Sequence, residues 1–272
     1  MIAIVLFGSC LLFVAVPSAN AATASPDAQA AASQNAASLY DLIWSPFGRV
    51  ESGWSIYVPL VGHEIGSTAK PDSPEFAESL ASWQGTHGLP ASGILDPATF
   101  LRMKTIWQSR RPFVSGSRSM CPAPPAPSSL SLLAPDESYG GKQIWLRSPA
   151  LKAYRDLVAA ARAAIPELAA DNRVLTAFSG YRSPEYDAAR CMRDGNCQGV
   201  VRAACSPHRT GLALDLYLGA APGYSPDSSA DANRAFISRT AAYQWLVANA
   251  ARFGFANYAF EPWHWEWTGA AN

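Results

Sequence analysis

The chain has 272 residues, enough for two modest domains, and its 21 basic and 21 acidic residues give a formal net charge of +0. This balance argues against nucleic-acid binding and against electrostatic attachment to a membrane surface. Function is therefore expected in local side-chain patterns rather than in bulk charge. The five cysteines and four histidines are few enough for each to be considered as a candidate functional residue.

The first 21 residues have the pattern of a secretory signal peptide. An apolar run over residues 2–16 precedes the small-residue sequence Pro17-Ser18-Ala19-Asn20-Ala21, which predicts cleavage after Ala21. The run is too short to span a membrane, and Cys10 within it lacks the surroundings of a lipoprotein signal. A periplasmic or secreted location in the cell envelope is predicted, without stable membrane insertion.

Composition divides the rest of the chain at two places. Residues 22–45 are rich in alanine and are expected to be flexible. Residues 113–138 are rich in proline and serine and are expected to form a linker. This division predicts a small, mainly helical domain over residues 46–112 and a second domain over residues 139–272, which is expected to contain the complete functional site.

The smaller domain carries the pattern of two helices joined by a turn. Phe76, Leu80 and Trp83-Gln84 recur at helical spacing, and a turn then leads to a second helix capped at Asp96-Pro97. The pattern resembles the helical peptidoglycan-binding module found beside many wall hydrolases, although Asp96-Pro97 and Ser92-Gly93 replace its usual Gly-Pro and Asp-Gly. The alternative is a packing subdomain that braces the second domain.

Cleavage after Ala21 would leave four cysteines in an oxidising compartment, at positions 121, 191, 197 and 205. Four cysteines allow three pairings. The segment between Cys191 and Cys197 contains a natural turn, which favours a disulfide between these two and leaves Cys121 to pair with Cys205. Four free thiols or a second metal site are the alternatives, and the irregular spacing does not support a metal.

The second domain is predicted to be α+β. Ser148-Pro149 begins a helix with an apolar stripe, residues 174–178 form a strand, and a helix from about Asp231 to Phe253 ends at Gly254. We expect a small antiparallel sheet that carries the functional segments, with helices against its back.

Two segments of this domain contain the histidines of interest. If residues 211–217 form a strand, Asp215 shares a face with small residues while three leucines enter the core. In residues 263–267, His264 and Glu266 lie opposite three tryptophans. Each strand would therefore bury an apolar face and direct one ligand into a common space, with His208 on a loop before the first strand.

Two histidines and a carboxylate, here His208, Asp215 and His264, can hold zinc and leave a coordination position open, as catalytic zinc requires. Glu261, three residues before the last ligand, is well placed to accept a proton from water. The same ligand set occurs in non-haem iron oxygenases, but a secreted, cysteine-paired chain suits redox-inert zinc better. Each segment alone is equally compatible with a structural role, whereas the joint pattern favours a metallopeptidase.

The pattern Ser206-x-His208-x-x-Gly211-x-Ala213-x-Asp215, followed by Glu261-x-Trp263-His264, resembles the signature of the D-alanyl-D-alanine carboxypeptidase group of zinc peptidases. This group includes the VanY-type enzymes and shares its fold with the hedgehog signalling domain. Residues 179–183, Ser-Gly-Tyr-Arg-Ser, match the arginine motif of the family, and the resemblance covers residues 139–268. It implies that His208, Asp215 and His264 bind zinc, that Glu261 is the general base and that Arg182 steadies the oxyanion or the substrate.

The resemblance further implies that Arg182, Ser206 and Trp263 contact the substrate, Ser206 near its carboxyl end. For Arg182 the alternative is a surface ion pair at a helix start, because residues 183–185 read as an N-cap, an N1 proline and an acidic first turn. The implied protein is a monomeric, secreted, zinc-dependent D,D-carboxypeptidase that acts on peptidoglycan stem peptides. A peptidoglycan endopeptidase and a non-catalytic, zinc-stabilised wall-binding protein are the alternatives.

Overall fold

A computed structural model describes residues 25–117, 121–195, 197 and 205–269. The predicted signal peptide and its cleavage site lie outside the described residues. Within the described ranges, none of the helices has the length and apolar character needed to cross a membrane.

Residues 25–117, called the upstream unit below, are mainly helical. A short antiparallel hairpin is formed by strands β1 (Ile43–Trp44) and β2 (Glu51–Ser52). The helices are α1 (Pro26–Asp41), α2 (Val58–Glu64), α3 (Pro74–Thr86), α4 (Pro97–Ser109) and α5 (Pro112–Ser117). The two predicted helices of this unit are confirmed as α3 and α4, and Asp96 caps α4 by accepting a hydrogen bond from the Thr99 amide at 2.7 Å.

The polar residues that suggested a wall-binding module have structural roles. Gln84 is fully buried and donates to the carbonyl of Ile94 and to the hydroxyl of Thr99, both at 2.9 Å. Its side-chain oxygen accepts from the amide of Gly93 at 2.8 Å. These bonds satisfy buried backbone groups of the turn between α3 and α4. This observation agrees with the packing alternative, while binding to the wall stays a prediction.

The flexible segment expected over residues 22–45 is corrected by helix α1. Its N-terminus is capped by Ser25, whose side chain accepts from the amide of Ala28 at 3.1 Å. Ala31 and Ala32 are buried, and α1 packs against α3. Alanine favours helix intrinsically, so the composition that suggested disorder supports a helix once a packing partner is present.

Replacing Asn35 with alanine should lower the free energy of unfolding by about 1–3 kcal/mol, because two buried backbone groups would lose their partners. Asn35 is fully buried and bonds the carbonyl of Gly93 and the amide of Leu95, each at 2.8 Å. Urea unfolding measures the change, with Ser33→Ala, an exposed position on the same helix, as the control. Equal stability of both variants would contradict the packed position of α1.

The described residues between 121 and 269 are called the downstream domain below. Its helices are α6 (Ser148–Ala164), α7 (Pro166–Ala170), α8 (Pro184–Arg193), α9 (Asp231–Ser238) and α10 (Ala241–Asn249). Its strands are β3 (Leu130–Leu132), β4 (Trp145–Arg147), β5 (Ala177–Ser179), β6 (Ala213–Leu216), β7 (Phe255–Tyr258) and β8 (Glu261–Trp267). Short 3-10 helices include Pro207–Thr210 and Ala250–Phe253. The predicted α+β class is confirmed.

The main sheet is antiparallel with strand order β5-β6-β8-β7. In the central pair, Ala213 lies opposite Glu266 and Asp215 lies opposite His264. Leu214 and Leu216 are buried in the core, as the predicted alternation requires. The sheet thus carries both functional segments side by side at its centre.

Three predicted elements of this domain are corrected. The strand expected over residues 174–178 begins three residues later, as β5 (Ala177–Ser179). It cannot begin at residue 174 because Leu175 has φ of 71° and the preceding residues form a turn. The strand expected over residues 211–217 is shorter, because Gly211 has φ of 69° and ends the preceding 3-10 helix. The helix expected over residues 231–253 divides into α9 and α10, because Thr240 caps a new helix by accepting from the Tyr243 amide at 3.2 Å.

The expected linker over residues 113–138 is partly regular structure. Helix α5 extends into it, and β3 pairs with β4 of the downstream domain. Two disulfides join Cys121 to Cys205 and Cys191 to Cys197, which confirms the favoured pairing. The first of them ties the linker to the segment that holds His208.

The upstream unit packs directly on the downstream domain, and one apolar cluster runs through both. Helix α4 contacts β7, α5 contacts β8 and α2 contacts α10. Arg234 of α9 is fully buried and reaches Glu51 of the upstream unit at 3.1 Å and the Tyr57 hydroxyl at 2.6 Å. The division into two domains stays a prediction, but the two parts share a core.

Candidate active site

The central strands of the sheet bring two predicted ligands together. Asp215 on β6 lies directly opposite His264 on β8, and opposite residues of antiparallel strands project from the same face. His208 comes from the 3-10 helix before β6. One potential ligand atom from each of these residues lies within 4.8 Å of the others, and all three residues are buried. The structure therefore gathers His208, Asp215 and His264 into one cluster that could hold a metal ion.

A backbone carbonyl orients the imidazole of His208. Nδ1 lies 2.7 Å from the carbonyl oxygen of Gly180, which leaves Nε2 facing Asp215 at 3.2 Å from Oδ2. A Cβ on Gly180 would lie 2.6 Å from Ile144 Cγ2 and from the carbonyl oxygen of Trp145. Glycine thus allows the close approach that places this carbonyl. Burial lowers the pKa of His208 to about 4, so the neutral imidazole has a lone pair to offer.

The imidazole of His264 lies between two carboxylates. Nδ1 is 2.9 Å from Oδ1 of Asp215, and Nε2 is 3.3 Å from Oε1 of Glu266. Although burial disfavours the imidazolium, hydrogen bonds to these carboxylates raise the pKa of His264 to about 9. A metal-ligating histidine characteristically donates its other N–H to a carboxylate or carbonyl. Both histidines of the cluster have this arrangement.

The donor set of the cluster fits a zinc ion. Two imidazole nitrogens and a carboxylate converge away from water, which is unfavourable unless a proton or a cation lies between them. Although burial opposes ionisation, the two imidazoles hold the pKa of Asp215 well below its usual range, so it supplies the negative charge that a dication needs. Nitrogen and oxygen donors of these kinds bind zinc, and three protein ligands leave one tetrahedral position open.

Glu261 is the first residue of β8 and lines the same cleft as the cluster. In a regular strand Glu261 and His264 would lie on opposite faces, but the pairing of β7 with β8 shifts register between Asn257 and Tyr258. The Asn257 side chain donates to the carbonyl of His264 at 2.9 Å and ties this irregular segment to β7. Burial raises the pKa of the Glu261 carboxyl, as suits a group that takes up a proton near neutral pH.

Arg182 lies in the wall of the cleft and is held at two points. Its Nη2 donates to Oγ of Ser206 at 2.9 Å, and its Nε lies 3.2 Å from Oδ1 of Asp187, with 14% of the arginine side chain exposed. The ion pair with the first turn of α8 is therefore present, but it is buried rather than on the surface. Ser206 also accepts from the amide of His208 at 3.1 Å, so it connects the arginine to the cluster.

Trp263 lines the cleft but is only 3% exposed, and it belongs to the apolar core. Its side chain supports the strand that carries Glu261 and His264. The predicted contact of Trp263 with substrate stays a prediction.

The upstream unit contributes residues that the sequence did not predict. Gln108, Arg111, Phe113 and Val114 line the cleft, which has a volume of about 270 Å³. Arg111 pairs with Glu266, from which it is separated by 155 positions. A separation of that size produces no local motif. The sequence feature that could have drawn attention to Glu266 was the strand alternation, which placed it on the same face as His264.

Residues 143–270 match the model of the family described as VanY, D-alanyl-D-alanine carboxypeptidase. The matched stretch contains the three clustered residues, Glu261 and the arginine motif. The match covers a little under half of the chain. The resemblance drawn from the motifs is thereby confirmed for the downstream domain, and the upstream unit lies outside the match.

Two solved structures are similar to part of the chain. The LdcB LD-carboxypeptidase shares 22% identity over 54% of this chain and 71% of its own, with a TM-score of 0.38. A D,D-pentapeptidase VanY from a VanB-type resistance cassette, determined in complex with Zn(II), shares 22% identity over 56% of this chain and 85% of its own, with a TM-score of 0.32. Scores of this size do not establish a common arrangement, so the family assignment rests on the sequence match. No curated protein matches the chain.

Proposed function

We propose that the chain is a zinc-dependent D,D-carboxypeptidase that removes the terminal D-alanine of peptidoglycan stem peptides, and that it acts in the periplasm or outside the cell. The observation that carries the proposal is the buried cluster of His208, Asp215 and His264 with Glu261 in the same cleft, inside a VanY-family domain. The two disulfides agree with an oxidising compartment.

In this proposal, His208, Asp215 and His264 would hold a zinc ion, which would supply Lewis acidity toward a water molecule and toward the scissile carbonyl oxygen. Glu261 accepts a proton from that water and delivers it to the leaving amine. The raised pKa of Glu261 suits both transfers, because the group must gain and then lose a proton near neutral pH. The Gly180 carbonyl and the Glu266 carboxylate keep the two imidazoles oriented with one nitrogen toward the centre of the cluster.

Arg182 is the residue expected to recognise the free carboxylate at the end of the substrate peptide. The planar guanidinium matches a carboxylate, and its hydrogen bond to Ser206 and its ion pair with Asp187 fix its position in the cleft. Capture of a free carboxylate one residue beyond the scissile carbonyl would release a single amino acid. This argument favours a carboxypeptidase over an endopeptidase.

A stem pentapeptide that ends in D-Ala-D-Ala should therefore lose one D-alanine. Capping its terminal carboxylate as an amide should cost roughly 1.5–3 kcal/mol, the value of a hydrogen bond to a charged group. That cost corresponds to roughly 10- to 150-fold in kcat/KM. Mass spectrometry identifies the products, and initial rates of the acid and the amide give the ratio.

Arg182→Gln should shrink the ratio between acid and amide toward one, whereas Arg155→Gln, at an exposed arginine paired with Glu137, should leave it unchanged. Products of two or more residues without free D-alanine would replace the carboxypeptidase with an endopeptidase. Release of D-alanine only from a tetrapeptide would show L,D specificity. Zinc binding without turnover of any muropeptide would favour the non-catalytic alternative.

A further inference from the structure

We propose that the upstream unit completes the metal site, and that Arg111 acts through Glu266 as a positioning residue for His264. The inference rests on the proposed function, because it takes His264 to be a metal ligand. It assigns the upstream unit a role in metal binding, beyond attachment to the wall or passive bracing of the catalytic domain.

Both oxygens of Glu266 are engaged by the upstream unit. Arg111 Nη2 lies 2.5 Å and Nε 2.7 Å from Oε1, and the amide of Phe113 donates to Oε2 at 3.0 Å. The side chains of the ion pair are 5% and 2% exposed. Oε1 also lies 3.3 Å from Nε2 of His264. A continuous chain of contacts thus leads from Arg111 through Glu266 to His264.

The Arg111 guanidinium is itself held rigidly. Its Nη1 donates to Oε1 of Gln108 at 2.8 Å, and its central carbon lies 4.0 Å from the centre of the Tyr258 ring. The planar fork of arginine can make these contacts together, which a lysine ammonium cannot reproduce. Arg111 therefore presents a fixed cation to Glu266.

A buried carboxylate that loses its cationic partner is strongly destabilised, even where hydrogen bonds such as that from the Phe113 amide remain. Without Arg111, we expect the Glu266 side chain to change conformation and move away from His264. A histidine whose outer N–H bond is lost is no longer fixed in tautomer and orientation, and such outer partners typically contribute 10- to 100-fold to metal affinity. The contacts made by the upstream unit should therefore set the zinc affinity of the downstream domain.

A second buried ion pair across the same interface provides a matched control. Glu51 is 2% exposed, lies 3.1 Å from Nη1 of Arg234 and accepts from the Tyr57 hydroxyl at 2.7 Å. It makes none of the contacts to His264 that Glu266 makes. Glu51→Gln and Glu266→Gln thus remove the same charge from similar surroundings, and only the second change touches the metal cluster.

The test uses the full chain and measures the zinc dissociation constant by chelator competition. Thermal unfolding of the metal-free protein verifies that each variant folds. Arg111→Gln and Glu266→Gln should each weaken zinc binding about 10- to 100-fold. The double variant should bind zinc at most about twofold more weakly than whichever single variant binds it less tightly. The reason is that the effects of residues connected in one series of contacts are not additive. Glu51→Gln should stay within about twofold of wild type even if it unfolds at a lower temperature.

Wild-type zinc affinity in both Arg111→Gln and Glu266→Gln would overturn the inference, and so would an equal loss in Glu51→Gln. If Arg111→Gln does not fold, Arg111→Lys is measured in its place. Wild-type zinc affinity in both Arg111→Lys and Glu266→Gln would likewise overturn the inference. Failure of the proposed function looks different. In that case the wild type itself does not bind zinc, or His264→Ala binds it as well as the wild type does.

Discussion

Replacing Glu261 with glutamine should lower kcat by roughly 100- to 10,000-fold, the usual contribution of a general base, and leave zinc binding intact. Glutamine keeps the shape of the side chain but cannot take up the proton. Glu261 lines the cleft without belonging to the metal cluster, so its loss should leave about one zinc per chain. Glu261→Ala should act in the same direction.

Steady-state kinetics on a stem pentapeptide and metal analysis of the purified variant measure the two effects separately. Glu64→Gln is the control, since this carboxylate pairs with Arg110 and is not part of the cleft lining. Loss of zinc from Glu261→Gln would make Glu261 a ligand. An unchanged kcat would remove it from the mechanism.

The predicted cluster could be recognised from sequence because strand alternation is a short-range rule. In β6 it separates Asp215 from the buried leucines, and in β8 it places His264 and Glu266 on one face. The pairing of Asp215 with His264 then needs only one antiparallel register. A bulge is harder to foresee, which is why the shift between β7 and β8 that brings Glu261 into the cleft was not predicted.

Helix α1 shows where local composition misleads. An Ala-rich segment has little apolar surface of its own, so its order depends on partners elsewhere in the chain. Asn35 of α1 is bonded to residues 93 and 95, and no pattern near Asn35 indicates that contact. Similarly, the break between α9 and α10 depends on one cap at Thr240, which a continuous apolar pattern conceals.

The contribution of the upstream unit is of the same long-range kind. Arg111 lies between α4 and α5, and no sequence pattern near it indicates a contact with Glu266, which is 155 positions away. Sequence composition suggested a linker between the two, yet α5 and β8 are in contact. A boundary drawn from proline and serine content therefore divides a site that the folded chain assembles from both sides.

Removal of any one of His208, Asp215 and His264 by alanine should lower zinc affinity by more than the roughly 100-fold upper value for outer partners, because a direct bond to the ion is lost. Turnover should fall with zinc occupancy. His63→Ala is the control, since this exposed histidine lies in α2 of the upstream unit. Metal analysis after dialysis and chelator competition provide the measurements, and stoichiometric zinc in any ligand variant would exclude that residue from the metal shell.

The unfolding temperature provides an independent test of whether His208, Asp215 and His264 bind zinc. Zinc at about 100 times its dissociation constant should stabilise the wild-type chain by about 2.7 kcal/mol, because the ion binds only the folded state. The three alanine variants should show little of this stabilisation at the same zinc concentration, whereas His63→Ala should show all of it. Asp215→Asn makes the sharpest case, because the amide keeps the size of the side chain and removes the charge between the two imidazoles. If Asp215→Asn were stabilised by zinc as fully as the wild type, the negative charge of this carboxylate would not be needed to hold the ion.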